Sequence, residues 1–230
     1  MAAIELSARP EPLLISSDTT AIIVNDMQNA FCSPGGYLDK VGFDLSQAPA
    51  AIAAVCRVLA AARTAKLLVI HSQNGIARDL HDIPAGSPWW HKSPALRHMR
   101  AHPELSGQIL TEGTWDYAII DEAAPAPGEL VIRKSRASCF AGTTLETHLR
   151  AGGIRTLVVI GIAINVGVEW TLREAMSREF YGVLVEDATM AAGPAEVHCA
   201  TVYNVERFIG WVTTTAQFEI AARALAGAAS

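Results

Sequence analysis

One pattern constrains this chain more than any other: short β-branched and Leu-rich runs recur along it, separated by stretches of helical periodicity. The runs fall at 21–25, 67–71, 130–133, 156–160, 182–185 and, more weakly, 209–213. After the first run, Ile52, Val55, Cys56 and Leu59 stand at i, i+3, i+4 and i+7, a spacing that predicts one apolar helix face and puts Cys56 in the core. Val168, Leu172, Ala175 and Met176 form a second such face, with Glu169 and Arg173 paired one turn apart on its flank. Strands that alternate with amphipathic helices need right-handed crossovers, and the result is a parallel sheet covered on both faces. The expected architecture is therefore a single α/β domain over residues 1–230, a three-layer αβα sandwich with a six-stranded parallel sheet. Its strand order is expected to be 3-2-1-4-5-6, the doubly wound arrangement.

Two local signals refine this. Thr143-Thr144-Leu145-Glu146 has capping-box spacing and should open a helix that Gly152-Gly153 ends. The segment of about forty residues at 74–116, rich in Pro, Gly and His, interrupts the alternation and is too long for a plain connector. Within it Ser93 as N-cap and Pro94 at the first helical position predict a short helix through Leu96 and Met99, so the segment is read as a lid or subunit contact.

Composition narrows the function. With 50% hydrophobic and 18% charged residues the chain can bury a large core, which excludes disorder. A net charge of −5 without a basic block argues against nucleic acid as a partner, which leaves a small molecule. The apolar stretch at 157–164 is far short of the ~20 residues of a membrane helix. Residues 1–12 carry Glu5, Arg9 and Glu11 and lack the basic start and apolar centre of a secretory signal, so a cytoplasmic protein is expected. The cysteines Cys32, Cys56, Cys139 and Cys199 are widely spaced, with neither zinc-type pairs nor disulfide density. No cofactor is called for.

Ligands of an open parallel sheet bind beyond the carboxyl ends of its strands. Asp26 closes the first run, Lys134 closes the third, and Gly161 begins a turn that reaches a helix after Gly167. Taken alone, Asp26 reads as a turn residue and Lys134 as a solvated charge. Together at one crevice they are a carboxylate and an ammonium that hold each other charged and can move a proton.

The residues also match a family. Asp26-Met27-Gln28 with Phe31, Lys134 with Phe140, and Gly161-Ile162-Ala163-Ile164-Asn165-Val166 resemble the isochorismatase-like hydrolase superfamily. Pro34-Gly35-Gly36-Tyr37-Leu38-Asp39, Gln73-Asn74-Gly75, His91-Lys92-Ser93, Gly113-Thr114-Trp115-Asp116-Tyr117 and Gly210-Trp211-Val212 are similar to its ureidoacrylate amidohydrolase branch. The resemblance implies an Asp-Lys-Cys site in which the Cys attacks an amide carbonyl, yet the nucleophile's position is Gly167 here, in Asn165-Val166-Gly167-Val168-Glu169. It further implies a cis peptide at Ile162–Ala163, an oxyanion hole from the Ala163 and Gly167 amides, and a pocket shaped by Phe31, Asn74, Trp115 and Phe140 under a lid carrying Trp89, Trp90 and His91. Exposed apolar surface on the lid and C-terminal helices, with the family's habits, implies a homo-oligomer. The Asp/His ligand set of the family's zinc enzymes is not found around His91, His98 and His102. Arg97 and Arg100 read either as a solvated helix face or as partners for a substrate carboxylate.

Three functions stay open. One is hydrolysis of an amide, ureido or carbamoyl C–N bond, with Asp26 activating water and Lys134 and the helix entry holding charge. Another is vinyl-ether hydrolysis with Asp26 as general acid, since isochorismatases carry glycine at the position of Gly167. The last is a non-catalytic binder or nucleophile-deleted variant. Cys139 reads as a buried thiol rather than a relocated nucleophile. If Gly167 replaces a lost nucleophile, a cysteine restored there is expected to raise turnover; if the enzyme works through water or direct protonation, it is expected to crowd the site and reduce activity.

Overall fold

The computed structural model describes residues 3–228. A two-stranded antiparallel hairpin, β1 (Ile4–Leu6) and β2 (Leu13–Ile15), precedes β3 (Thr20–Asn25). Two single turns, α1 (Asn29–Cys32) and α2 (Tyr37–Lys40), lead to the long α3 (Ala48–Thr64) and to β4 (Leu68–Asn74). Helices α4 (Pro88–Lys92) and α5 (Pro94–Ala101) then come before β5 (Leu130–Lys134). The second half runs α6 (Leu145–Ala151), β6 (Thr156–Ile162), α7 (Glu169–Ser177), β7 (Tyr181–Met190), α8 (Ala195–Asn204), β8 (Trp211–Thr213) and α9 (Thr215–Ala228).

The six-stranded sheet has the order β5-β4-β3-β6-β7-β8 with every neighbouring pair parallel. Counted along the chain this is the expected 3-2-1-4-5-6. The order reverses between β3 and β6, so the chain leaves these two strands in opposite directions and opens a crevice at their carboxyl ends. All six residues of β3 are buried, which requires a layer on each face. Ile22 and Val24 face the core under α3 and α9, whereas Ala21 and Ile23 face the core that Leu145, Leu149, Val168 and Leu172 complete.

Several local expectations shift. On α3 the buried seam is Ala51, Ala54, Val55, Val58, Leu59 and Ala62, so alanines carry the close helix–sheet contact and Cys56 is rotated onto the flank. There its thiol donates to the Glu122 carbonyl at 3.2 Å. On α7, Met176 is 50% exposed while Leu172 and Ala175 are buried, and the Glu169–Arg173 pair forms at 2.6 Å. Helix α6 starts and stops where expected, but Thr144 makes no side-chain cap. Instead Thr143 Oγ1 accepts from the Leu145 amide at 3.2 Å while donating to the Cys139 carbonyl at 2.5 Å. The weak last run yields only three strand residues, because Val205–Ile209 winds into a π-helical turn.

The insertion between β4 and β5 is ordered. Its base is closed by Ile76 N–H to Leu110 O at 2.8 Å and Glu112 N–H to Ile76 O at 3.1 Å. Ser93 Oγ accepts from the Leu96 amide and Pro94 opens α5, as the cap signal predicts. Ile83, Leu96, Met99 and Ile109 join the same core as α3, with Trp89 and Trp90 packed half-buried against it. No helix among the described residues is long and apolar enough to cross a membrane.

Candidate active site

Strand register brings the polar strand ends together. Asn25 stands opposite Ser72 on one side and Gly161 on the other, and Asn74 stands opposite Lys134. Asp26 follows with φ of +50°, turning the chain out of the sheet. Lys134 lies two strands away, roughly 9–10 Å in the hydrogen-bonding direction, a gap that an extended lysine and an aspartate bridge between them. Its Nζ reaches Asp26 Oδ2 at 2.6 Å, with both side chains nearly out of solvent.

A buried ion pair holds only if its remaining donors and acceptors are satisfied, because each ion has given up its water. Here they are. Lys134 Nζ also donates to the carbonyls of Ala137 at 2.7 Å and Arg136 at 3.3 Å. Asp26 Oδ1 accepts from Ser72 Oγ at 2.7 Å, and Oδ2 accepts a second bond from Asn25 Nδ2 at 3.2 Å. Ser72, Asn25 and Lys134 thus each present a donor to the carboxylate.

The third expected component lies on the turn after β6. The peptide Ile162–Ala163 is cis. Residues Ile164–Val168 form a π-helical turn leading into α7, with the Val166 and Val168 amides both donating to the Ala163 carbonyl. Asn165 clamps the turn to the loop after β7 through both amide and carbonyl of Ala192, at 2.9 and 3.1 Å. Gly167 is buried against Asn25: a Cβ there would lie 2.4 Å from Asn25 Nδ2. A cysteine therefore enters this position only if the Asn25 carboxamide moves. Asn25 itself is fixed by Nδ2–H to the Ile162 carbonyl at 2.9 Å and by the Cys139 thiol donating to Oδ1 at 3.2 Å. Burial pushes the Cys139 thiol up, with Lys134 pulling the other way, so the group stands here as a protonated donor.

The remaining expected residues are spread around this centre. Ala163 and Phe31 are buried, at 6% and 8% exposure, the Phe31 ring meeting Tyr37 edge-on. Asn74 has its backbone amide and carbonyl both bonded to the Gln28 side chain, at 2.7 and 2.9 Å. Trp115 is 54% exposed. Phe140 packs on Phe180, ring centroids 5.9 Å apart, with Arg178 over its face. His98 and His102 stack on each other at 4.5 Å on the insertion, and among the described residues no group of three or more His, Cys, Asp or Glu gathers to hold a metal ion. Arg100 lies over the Trp90 ring and donates to its carbonyl at 2.7 Å. A cavity of about 970 Å³ opens beyond β7 beside α3, lined by Phe43, Gln47, Asp187, Met190 and His198 among others, and not by Asp26, Lys134 or Gly167.

Three neighbours of Asp26 carry no site role in the sequence: Asn25, Ser72 and Tyr117, the last present there only as part of a family motif. Tyr117 packs its ring against Gly75, and burial together with the charge of Asp26 pushes its phenol up. The register that pairs Asn25 with Ser72 was the only available pointer to the first two.

Residues 20–217 match the isochorismatase domain family. The chain is 53% identical over 214 residues to the ureidoacrylate amidohydrolase RutB of Azorhizobium caulinodans, covering 93% of this chain and 94% of that one. Identity to the RutB of Agrobacterium fabrum is 51% over the same shares. Among solved structures, a cysteine hydrolase from Pseudomonas syringae pv. phaseolicola superposes with a TM-score of 0.78 at 27% identity, covering 92% of this chain and 95% of that one. Sheet order, strand-end chemistry and whole-chain similarity agree, and the chain belongs to the isochorismatase family of hydrolases.

Proposed function

We propose that this protein hydrolyses a C–N bond of ureido, amide or carbamoyl type in a small molecule, and that it does so without a cysteine at position 167. The observation that carries the reading is the buried Asp26–Lys134 pair at the strand ends of a chain about half identical to ureidoacrylate amidohydrolases. Asp26 takes a proton from water as the water oxygen attacks the carbonyl carbon. The oxyanion that forms is met by the amides of Ala163 and Gly167 at the helix entry, while Lys134 keeps the local charge balanced. Collapse breaks the C–N bond, and the proton passes from Asp26 to the leaving nitrogen. Phe31, Asn74 and Trp115 border the substrate in this reading, and 74–116 is the lid of a single domain.

Gly167 also suits vinyl-ether hydrolysis, which asks Asp26 to deliver a proton to carbon. The surroundings favour the first chemistry, since Ser72, Asn25 and Lys134 all donate to Asp26 and suit a carboxylate that receives a proton. We assign the protein to the cytoplasm, and to a homo-oligomer, for which the exposed Trp170, Tyr203 and Phe208 offer apolar surface. Light scattering that finds only a 24.5 kDa species contradicts the oligomer.

The function is tested with ureidoacrylate and an isochorismate-type vinyl ether as substrates. Turnover of the first, lost by roughly 10²-fold or more in Asp26→Asn, is the expected result, since general acid–base catalysis typically supplies that much. Turnover of the vinyl ether alone moves the assignment to the second chemistry.

A further inference from the structure

The glycine that replaces the family's nucleophile is half of a pair, and the other half is Asn25. The two residues are 142 positions apart in sequence. Asn25 is fully buried, the last residue of β3, and its carboxamide lies where a side chain at 167 would begin: a Cβ there would be 2.4 Å from Nδ2, 3.0 Å from Oδ1 and 3.1 Å from Cγ. A collision with the tip of a loose side chain is relieved by a rotation. This tip is not loose, because three bonds hold it: Nδ2–H to Ile162 O, Nδ2–H to Asp26 Oδ2, and the Cys139 thiol to Oδ1. The backbone is equally crowded. Gly161, directly opposite Asn25 in the sheet, has φ of +111°, and a Cβ there would sit 2.1 Å from the Asn25 carbonyl oxygen. Asn25 is thus wedged between two glycines and touches the carboxylate with the same nitrogen that fills the space at 167.

We propose that Asn25, Gly167 and Cys139 form one interlocked unit in which Asn25 occupies the family nucleophile's place and acts as the positioning residue for Asp26. Cys139 fixes which end of the carboxamide faces Asp26, since only the Oδ1 end can accept its S–H. Gly167 is the residue that leaves the carboxamide its room. The role toward Asp26 rests on the proposed function; the packing interlock does not. It follows that a thiol returns to the centre only when Asn25 gives way, so Gly167→Cys and Asn25→Ala must be made together.

The test is a double-mutant cycle of wild type, Asn25→Ala, Gly167→Cys and the double variant. Thermal midpoints and iodoacetamide labelling are read by mapping the peptide that carries residue 167. Gly167→Cys alone is expected to lower the midpoint. The double variant is expected to be more stable than the sum of the single effects and to label at residue 167. Additive midpoints, or a single Gly167→Cys variant that keeps the wild-type midpoint and labels as fast as the double variant, overturn the interlock. If Gly167→Cys does not fold, the cycle is run with Gly167→Ala, which poses the same Cβ against Asn25.

The positioning role is read separately on ureidoacrylate. Asn25→Ala is expected to lower kcat by about 10- to 100-fold, the scale of a misplaced catalytic group, with KM within about two-fold. An unchanged kcat overturns it. Labelling and thermal coupling need no substrate. A wild type that turns over nothing therefore strikes the proposed function and leaves the interlock standing.

Discussion

The two sides of the crevice solve opposite problems. On the β3–β5 side two charges are buried and every donor and acceptor around them is used, so Asp26 and Lys134 gain their place through hydrogen bonds from Ser72, Asn25 and two backbone carbonyls. On the β6 side nothing is charged. Gly161 and Gly167 are there because Asn25 comes too close for any Cβ. One side is fixed by what its residues carry, the other by what they lack, and the two meet in the Asn25 carboxamide. The missing cysteine is therefore not an empty place in an otherwise ordinary site.

The largest effect expected from breaking this comparison is on the charged side. Lys134→Met removes the cation and leaves Asp26 buried with its negative charge uncompensated, which should cost roughly 3–5 kcal/mol of stability along with activity. Urea denaturation measures it. A loss below about 1 kcal/mol would mean that the carboxylate finds water or another partner, and that the pair is less closed than its geometry implies. On the uncharged side, Gly161→Ala asks an alanine to hold φ of +111° with its methyl against the Asn25 carbonyl. A loss on the order of 2–3 kcal/mol is expected from strain and overpacking. Wild-type stability in this variant would show that β3 and β6 can separate there without penalty.

The smallest effect lies outside the crevice, at the other buried charge cluster. His71 on β4 bonds Glu129 at 2.9 Å, and Glu129 also takes Arg63 at 2.8 Å. Burial alone would raise the Glu129 carboxyl, but Arg63, the Ala126 amide and His71 outweigh it and hold it at about 2. Its contribution to stability is therefore complete above the ordinary value near 4.5 and is lost as pH falls from there toward 2. Burial likewise pushes His71 below its ordinary 6.5, so the unfolded chain takes up a proton first and stability begins to fall below that pH. The thermal midpoint should decline below pH 6.5 and fall more steeply below 4.5. Glu129→Gln should flatten the lower limb, and an unchanged limb would assign the acid loss to the crevice instead.

Much of this was legible in the sequence, for a physical reason in each case. Parallel strands buried on both faces read as continuous apolar runs, so β3, β6 and the sheet order could be anticipated. Asp26 and Lys134 stood out because ionisable residues that close such runs have few places to go. The seam of α3 lies one position away from the stripe that Ile52 and Cys56 suggest, since alanines carry little hydropathy yet let a helix approach the sheet. Asn25 was hidden differently. It looked like the polar end of an apolar strand, and its meaning depends on Gly161, Gly167 and Cys139, contacts that only the register and the turn after β6 create. The hairpin β1–β2 and the π-helical turns have no comparable signal in composition or period.

In the proposed mechanism Asp26 and Lys134 work with water and without a covalent intermediate. Intact-protein mass spectrometry of the wild type, quenched during steady turnover of ureidoacrylate, tests it most directly. Under the same quench a cysteine hydrolase of the ordinary Asp-Lys-Cys type serves as the positive control. Product is expected to form with the protein at its unmodified mass at every time point. A substrate-derived adduct that builds up in a burst and maps to Cys139 would contradict it, and would make that buried thiol the nucleophile.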